Sequence, residues 1–202
     1  PESYTNGKQD VDYVLTTTEI VRMIRKSGIV FDKVEIEAAD VPFGIGSGSG
    51  VIFGVTGGVT EAVLRRLQQG HNRVDMESIK KSGVRGDDGI KVLTYNYNGR
   101  EIKAAVVNGL ANADKVLQQI KNHEAEYDFV EVMACRRGCI MGGGQPVNAG
   151  PRTRKARMKG LYDTDVNTQI KKSNENPMIL SLYDSLLKGK EHELLHRNFS
   201  GK

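Results

Sequence analysis

The chain has 202 residues and lacks tryptophan altogether, and only 6% of its residues are aromatic. A core with so few rings has to be built from valine, isoleucine and leucine. Its longest apolar run is far short of the roughly 20 residues that cross a bilayer, so membrane insertion is not expected. No secretory signal pattern opens the chain, and we expect a cytoplasmic location. A hydrophobic content of 38% and a charged content of 27% are typical of a soluble globular protein.

Acidic residues are slightly outnumbered, which leaves a net charge of +4 and a sequence pI near 9.0. Basic residues cluster at Arg152, Arg154, Lys155, Arg157 and Lys159. Such a cluster fits a solvated helix face, a landing surface for an acidic electron-transfer partner, or a nucleic-acid contact. Aromatic residues are not interleaved with these cations, so we expect no nucleic acid as partner.

Glycine is abundant in residues 43–58, which contain seven glycines and lead into a predicted helix over 59–69. Glycines before a helix can cradle an anion. The dinucleotide pattern fails because Ser49 and Phe53 stand where its last glycine would be, and the phosphate-binding loop fails because no Gly-Lys-Ser/Thr is present. The segment is therefore either a structural turn or a place where backbone approaches some other group closely.

The remaining pattern alternates strands and helices and predicts an α/β fold, in which one lobe has a mixed sheet flanked by helices. Asn98-Gly99 between two β-rich runs indicates a hairpin. After Pro151 the pattern is helical only, so we expect a lobe over 1–150 followed by an all-helical extension over 151–202. The predicted strands are 12–16, 90–97, 100–107 and 128–132. Thr17 or Thr18 is the predicted N-cap of a first helix that ends at Gly28. Further helices are predicted over 110–122, 152–172, 177–188 and 191–197, while 30–41 is mostly loop.

Two cysteines, Cys135 and Cys139, lie four residues apart at the end of the predicted strand 128–132, and three glycines follow them. Thiolates select iron–sulfur clusters, zinc or copper(I). The alternatives to metal binding are that the two cysteines form a disulfide or that they are buried thiols that pack as small apolar side chains. A zinc site lacks a second ligand pair, since His71 and His123 stand alone. The helical pair His192 and His196 fits solvated side chains better than a metal site.

The cysteine segment resembles the last cysteine motif of the iron-only ([FeFe]) hydrogenases, which reads approximately E-x-M-x-C-x-x-G-C-x-x-G-G-G-x-P. All of its fixed positions are filled, by Glu131, Met133, Cys135, Gly138, Cys139, Gly142, Gly143, Gly144 and Pro146. Residues 50–58 resemble the stretch that lies against the active-site iron centre in that family. Residues 173–183 and 193–196 are similar to its C-terminal helical region, which in some members is a separate small subunit.

The resemblance implies a set of site residues. Cys135 would ligate a [4Fe–4S] cubane, and Cys139 would bridge that cubane to a diiron unit with carbonyl and cyanide ligands, the H-cluster. Phe53, Gly54 and Met133 would line the same cofactor. No catalytic acid is assigned in this chain, because the terminal proton donor of the family is a cysteine in its first motif.

A cubane takes four thiolates, and this sequence contains two cysteines. We therefore expect a separate subunit or a cleaved fragment of a hydrogenase that interconverts protons, electrons and H2. The other cysteine motifs would come from the remaining hydrogenase polypeptide, and electrons from ferredoxin or an electron-transfer subunit. The alternative is a hydrogenase-like iron–sulfur assembly protein of the nuclear prelamin A recognition factor type, without H2 activity.

Overall fold

A computed structural model of the chain describes residues 4–5, 8–9, 11–35, 37, 45–68, 77–86, 88–147 and 150–196. The strands are β1 Tyr4–Thr5, β2 Lys8–Gln9, β3 Ile90–Tyr97, β4 Arg100–Asn108 and β5 Phe129–Met133. The helices are α1 Thr17–Lys26, α2 Gly48–Val51, α3 Gly58–Leu67, α4 Leu110–Lys121, α5 Pro151–Asn167, α6 Pro177–Asp184 and α7 Glu191–Leu195. Short 3-10 turns cover Phe31–Lys33, Ile52–Gly54, Cys139–Met141 and Ser173–Glu175. Residues 43–44 of the glycine-rich segment and His71 lie outside the described ranges.

The central sheet confirms the predicted mixed topology, with strand order β3-β4-β5. β3 and β4 pair antiparallel and β4 and β5 pair parallel, with Asn108 opposite Met133. Asn98 and Gly99 both have positive φ, 51° and 80°, as a type I′ hairpin turn requires. The hairpin is therefore encoded by two residues that tolerate the left-handed region.

Buried side chains lie on both faces of the central strand β4. Ala104 and Val106 join one core cluster with Leu64 of α3, while Ala105 and Val107 join a second with Val116 of α4. A strand covered on both faces reads as a continuous apolar run rather than an alternating one. Burial of both faces explains the apolar run Ala104–Val107. The candidate site lies at the ends of the strands, outside this covered region.

The predicted strand over 12–16 is wrong, because these residues are irregular in the structure. Thr16 is the N-cap of α1 and forms a capping box with Glu19, so neither Thr17 nor Thr18 is the cap. Tyr13 and Val14 are 86% and 87% exposed, and no neighbouring strand pairs with 12–16 in the described part of the chain. A β-rich run without a partner strand does not form a sheet.

The other differences concern helix ends and one helix that the sequence did not predict. Residues 77–84 form an irregular helix with a π-type turn over Lys80–Val84, in which Gly83 adopts φ 84°. The last three helices stop at Asn167, Asp184 and Leu195, each earlier than expected. The described residues after 150 nevertheless contain helices, turns and irregular connections but no strand, in agreement with the predicted all-helical extension. No helix among the described residues has the length and apolar character to span a membrane.

Candidate cluster-binding site

The two cysteines lie on a turn that begins directly after β5. Cys135 follows Met133 by two residues, and Cys139 opens the 3-10 turn Cys139–Met141. Gly138 N donates to Cys135 O at 3.1 Å, which closes the turn between the two thiols. Both cysteines are exposed and free, so they are not paired with each other. The prediction that β5 delivers Cys135 from its carboxyl end is confirmed.

Gly138 packs directly against the loop over 54–56 and so brings the cysteine loop next to it. It is buried and adopts φ 81°, ψ −175°. A Cβ at this position would lie 2.7 Å from Gly54 O and 3.0 Å from Thr56 N. Only glycine fits both this backbone conformation and this space. The fixed glycine between the cysteines is therefore a packing requirement.

Glu131 ties β5 to the amino end of α3. One carboxylate oxygen accepts from Gly57 N at 2.7 Å, and the other accepts from Thr60 N and Thr60 Oγ1, both at 2.7 Å. The side chain is buried, with its residue 4% exposed. A carboxylate at a helix amino end interacts favourably with the unpaired N–H groups and the helix dipole. Glu131 thus fixes the strand that carries the cysteines to the glycine-rich segment.

The glycines after Cys139 differ in what they contact. A Cβ on Gly142 would lie 3.5 Å from Cys135 Sγ, so its absence leaves the space around that sulfur open. Gly143 faces open space. Gly144 O accepts from Thr18 N at 3.0 Å and from Thr18 Oγ1 at 3.1 Å, which docks α1 on the loop.

The residues that the resemblance places beside the cofactor are spread over three environments. Met133 is half-buried at the end of β5. Gly54 packs on α5, where an added Cβ would lie 2.7 Å from Leu161 Cδ1. Phe53 is 45% exposed and lines an apolar groove with Val59 of α3, and neither cysteine lines this groove. The structure therefore brings the Gly54 backbone to the cysteine loop and the Phe53 side chain to a neighbouring groove.

A buried ionic network that the sequence did not predict joins α3 to α5. Arg65 donates to both oxygens of Asp165 at 2.7 and 2.8 Å and to Glu61 at 2.5 Å. Arg85 donates to both oxygens of Glu61 at 2.8 and 2.7 Å. Glu61 and Arg65 are fully buried, and their spacing of four residues on a helix was the available signal. Two cations thus face two carboxylates.

Asp165 ionises readily despite its burial. Burial alone would raise its pKa, but the hydrogen bonds from Arg65 and the charges of Arg65, Lys171 and Arg85 hold the pKa of the Asp165 carboxyl below its ordinary value. A charged Asp165 is needed because a neutral one would leave Glu61 as the single carboxylate facing Arg65 and Arg85 in the network. Asp165 is therefore ionised at neutral pH.

Tyr162 of α5 lies beneath Arg85, whose guanidinium carbon is 4.0 Å from the ring centroid. Burial raises the pKa of Tyr162 to about 12, although the Arg85 charge opposes the shift. We expect a tyrosinate absorbance titration at 295 nm to lose a transition near pH 12 in Tyr162→Phe. The pKa of Tyr162 in the folded chain lies above its unfolded value of about 10. The contribution of this phenol to the free energy of unfolding should therefore be complete below pH 10 and disappear as the pH rises to 12. A lost transition near pH 10 would contradict the burial of this phenol.

The donor set fits a cluster shared with other ligands better than a closed metal site. Two exposed thiols offer soft donors, and the described residues contain no group of three or more His, Cys, Asp or Glu side chains that could hold a metal. A structural zinc site needs four such donors. His192 and His196 are exposed with ring centroids 4.8 Å apart, and no third donor joins them in the described chain.

The fold is α/β, and its candidate site has two free thiols directly after a central strand. Comparison with known proteins gives the family. Residues 1–143 match the model for the C-terminal domain of the iron only hydrogenase large subunit, and residues 151–202 match that for the iron hydrogenase small subunit. The chain belongs to the iron-only hydrogenase family.

Individual relatives agree with this assignment. Iron hydrogenase 1 of Clostridium pasteurianum is 37% identical over 97% of this chain and 36% of its own length. The NADP-reducing hydrogenase subunit HndD of Solidesulfovibrio fructosivorans is 37% identical over 98% of this chain and 35% of its own. The [FeFe]-hydrogenase HydA1 from Chlamydomonas reinhardtii, in a variant form, has a similar structure, with a TM-score of 0.67 at 31% identity over 94% of this chain and 56% of that one. The chain spans about a third of the length of these curated relatives.

Proposed function

We propose that this chain supplies Cys135 and Cys139 as two of the four cysteine ligands of an H-cluster, a [4Fe–4S] cluster bridged to a diiron unit with CO and CN ligands. The complete enzyme would be an [FeFe]-hydrogenase that catalyses reversible 2H⁺ + 2e⁻ ⇌ H2. The observation that carries the proposal is the pair of free, exposed thiols at the carboxyl end of β5, in a chain of this family. Two thiols cannot complete a cubane, so the chain is not expected to act alone.

The chain's own residues would hold and shield the cofactor. Cys135 would bind the cubane and Cys139 would bridge the cubane to the diiron unit, while Gly142 leaves room beside the Cys135 sulfur. When bound, the cofactor supplies the redox and hydrogen chemistry. Gly54 and Met133 would form the wall around it, and Phe53 would lie beside it through its backbone, since its side chain lines the neighbouring groove. No residue of this chain is assigned as a proton donor. The separate family matches support a lobe over 1–150 and a small-subunit-like region over 151–202.

A second polypeptide region would carry the other cysteine motifs. The surface of residues 11–34 supports this, since it exposes many apolar side chains: Val11, Tyr13, Val14, Leu15, Ile20, Met23, Ile29, Val30, Phe31 and Val34 are each 45% or more exposed. Ile20, Ile29 and Phe31 line one groove, and contiguous apolar surface of this kind marks a protein–protein contact. The electron donor would be a ferredoxin or an electron-transfer subunit, and the net charge of +4 suits an acidic one.

The cytoplasm is the compartment that we propose for the assembled enzyme. Cys135 and Cys139 are both exposed and unpaired. Thiols in this state are kept reduced in the cytosol and oxidise readily outside it.

The test is anaerobic co-expression of this chain with a polypeptide that carries the missing cysteine motifs, together with the cofactor-maturation machinery. We expect iron binding and H2 evolution from a reduced viologen dye. Cys139→Ser should lower iron content and H2 evolution by more than about 100-fold. Loss of a residue that binds the metal directly should cost more than loss of a residue that only contacts a ligand, which costs about 10–100-fold. Ala134→Ser, an exposed neighbour in the same loop, is the matched control and should retain both. Wild-type iron content and activity in Cys139→Ser would contradict the proposal.

The iron–sulfur assembly alternative has support from relatives at lower identity. The cytosolic Fe-S cluster assembly factor narfl of Xenopus tropicalis is 28% identical over 91% of this chain and 39% of its own length. The same co-expression experiment separates the two functions. An assembled complex that binds iron but forms no H2 would favour the assembly role.

A further inference from the structure

Residues 165–176, which we name the brace, cross from the end of α5 to the start of α6 and clamp the segment 45–49. Two of the contacts are backbone bonds, in which Gly48 N donates to Ile170 O at 2.8 Å and Ser49 N donates to Lys171 O at 3.1 Å. Side chains add three more: Ser49 Oγ to Lys171 O at 2.7 Å, Ser47 Oγ with Ser173 Oγ at 2.8 Å, and Asn176 Nδ2 to Ile45 O at 2.8 Å. The brace thus fixes the backbone of this segment at several consecutive residues.

Asp165 is the ionic anchor of the brace. Its carboxylate is held by Arg65 and lies directly over Gly48, so closely that a Cβ on Gly48 would overlap Asp165 Oδ1. The residue is 2% exposed. Because Arg65 is also held by Glu61, the position of Asp165 is set by α3 and in turn sets where the segment 45–49 can lie.

The clamped segment leads along the chain to the loop over 54–56, which packs against the cysteine loop. Helix α2 begins inside this segment at Gly48, the 3-10 turn Ile52–Gly54 continues from it without a break, and the loop over 54–56 then meets Gly138. Ile52, Val55 and Ile140 form one buried cluster, against which Leu161 and Tyr162 of α5 pack. A shift of the brace would therefore reach the backbone between the two thiols through residues in direct contact.

We propose that the brace is a positioning element for the cluster-binding site and that Asp165 is its positioning residue. This inference rests on the proposed function and assigns a role to the small-subunit-like region in it. That region would set the geometry of the loop that backs Cys135 and Cys139, in addition to covering the surface of the lobe. Asp165 touches neither the cofactor nor the thiols and acts through Gly48 and the turn Ile52–Gly54.

The first test compares Asp165→Asn with Asp163→Asn in the metal-free chain by amide hydrogen exchange. Asp163 lies on the same helix, is exposed and pairs with Lys159, so this control removes the same charge from the surface. In Asp165→Asn the amides of Gly138, Met141 and Gly142 should exchange at least about tenfold faster, while the hairpin amides over 92–106 keep their rates. If Asp165→Asn does not fold, Ser173→Ala removes only the contact with Ser47 Oγ and should give a smaller change at the same amides.

The second test uses the assembled, iron-loaded enzyme and records the infrared bands of the CO and CN ligands. We expect these bands to shift in Asp165→Asn and to stay at the wild-type positions in Asp163→Asn. The role of the brace would be overturned if Asp165→Asn left the exchange rates unchanged or raised them equally along the chain. It would also be overturned if the CO and CN bands did not shift in this variant. A wild-type complex that takes up no iron and shows no such bands would refute the proposed function instead, and the exchange result would still stand by itself.

Discussion

Gly138→Ala is expected to destabilise the chain by about 2–5 kcal/mol, because the added methyl group meets both a strained backbone conformation and a steric clash. The φ of 81° with an extended ψ belongs to glycine almost alone and costs about 1–3 kcal/mol for alanine. The new Cβ would also lie 2.7 Å from Gly54 O, a backbone atom that cannot swing away. The loss should be seen in the free energy of unfolding by urea and in faster hydrogen exchange of the cysteine loop.

Gly143→Ala is the matched control for this substitution. Gly143 lies in the same loop, its φ is not in the positive range, and no atom lies within 4 Å of the position that a Cβ would take there. Its free energy of unfolding should stay within about 0.5 kcal/mol of wild type. If Gly138→Ala and Gly143→Ala changed the free energy of unfolding equally, Gly138 would not be tightly packed against the loop over 54–56.

Glu131→Gln is expected to cost about 2–4 kcal/mol, although the side chain keeps its shape. The carboxylate accepts three hydrogen bonds, from Gly57 N, Thr60 N and Thr60 Oγ1. An amide has only one oxygen, so its NH2 group would face a backbone N–H donor and leave that donor unpaired. The free energy of unfolding at pH 7 measures the effect.

Glu101→Gln is the comparison for Glu131→Gln, since Glu101 is exposed on the neighbouring strand β4. We expect it to change the free energy of unfolding by less than about 0.5 kcal/mol. If Glu131→Gln were equally mild, the carboxylate would not be the link between β5 and α3, and the motif's fixed glutamate would not hold the strand in place.

Local sequence signals predicted much of the fold. Asn98-Gly99 indicated the hairpin because few residues adopt two consecutive left-handed conformations, and Pro151 and Pro177 stand at the first positions of α5 and α6. Residues 12–16 misled because strand formation depends on a partner that local composition does not reveal. The helix over 77–84 escaped prediction because its π-type turn and Gly83 break the helical period.

The cysteine pair could be predicted as the centre of the site, but not what holds it. Glu131 and Gly138 stood out only as fixed positions of a motif, and their contacts lie far along the chain, at residues 54–60. The pairing of Arg65 with Asp165 joins residues one hundred positions apart, which no local pattern encodes. Interactions of this kind are set by tertiary packing, and the structure is needed to find them.

The most direct measurement is alkylation of Cys135 and Cys139, followed by mass spectrometry, in the iron-loaded complex with the polypeptide that carries the missing motifs. Both thiols are exposed in this chain and should react readily with iodoacetamide when it is alone. In the complex we expect both to be protected, and to become reactive together once the iron is removed with a chelator. Cysteines that react equally fast in the iron-loaded complex and in the chain alone would contradict the claim that they are cluster ligands.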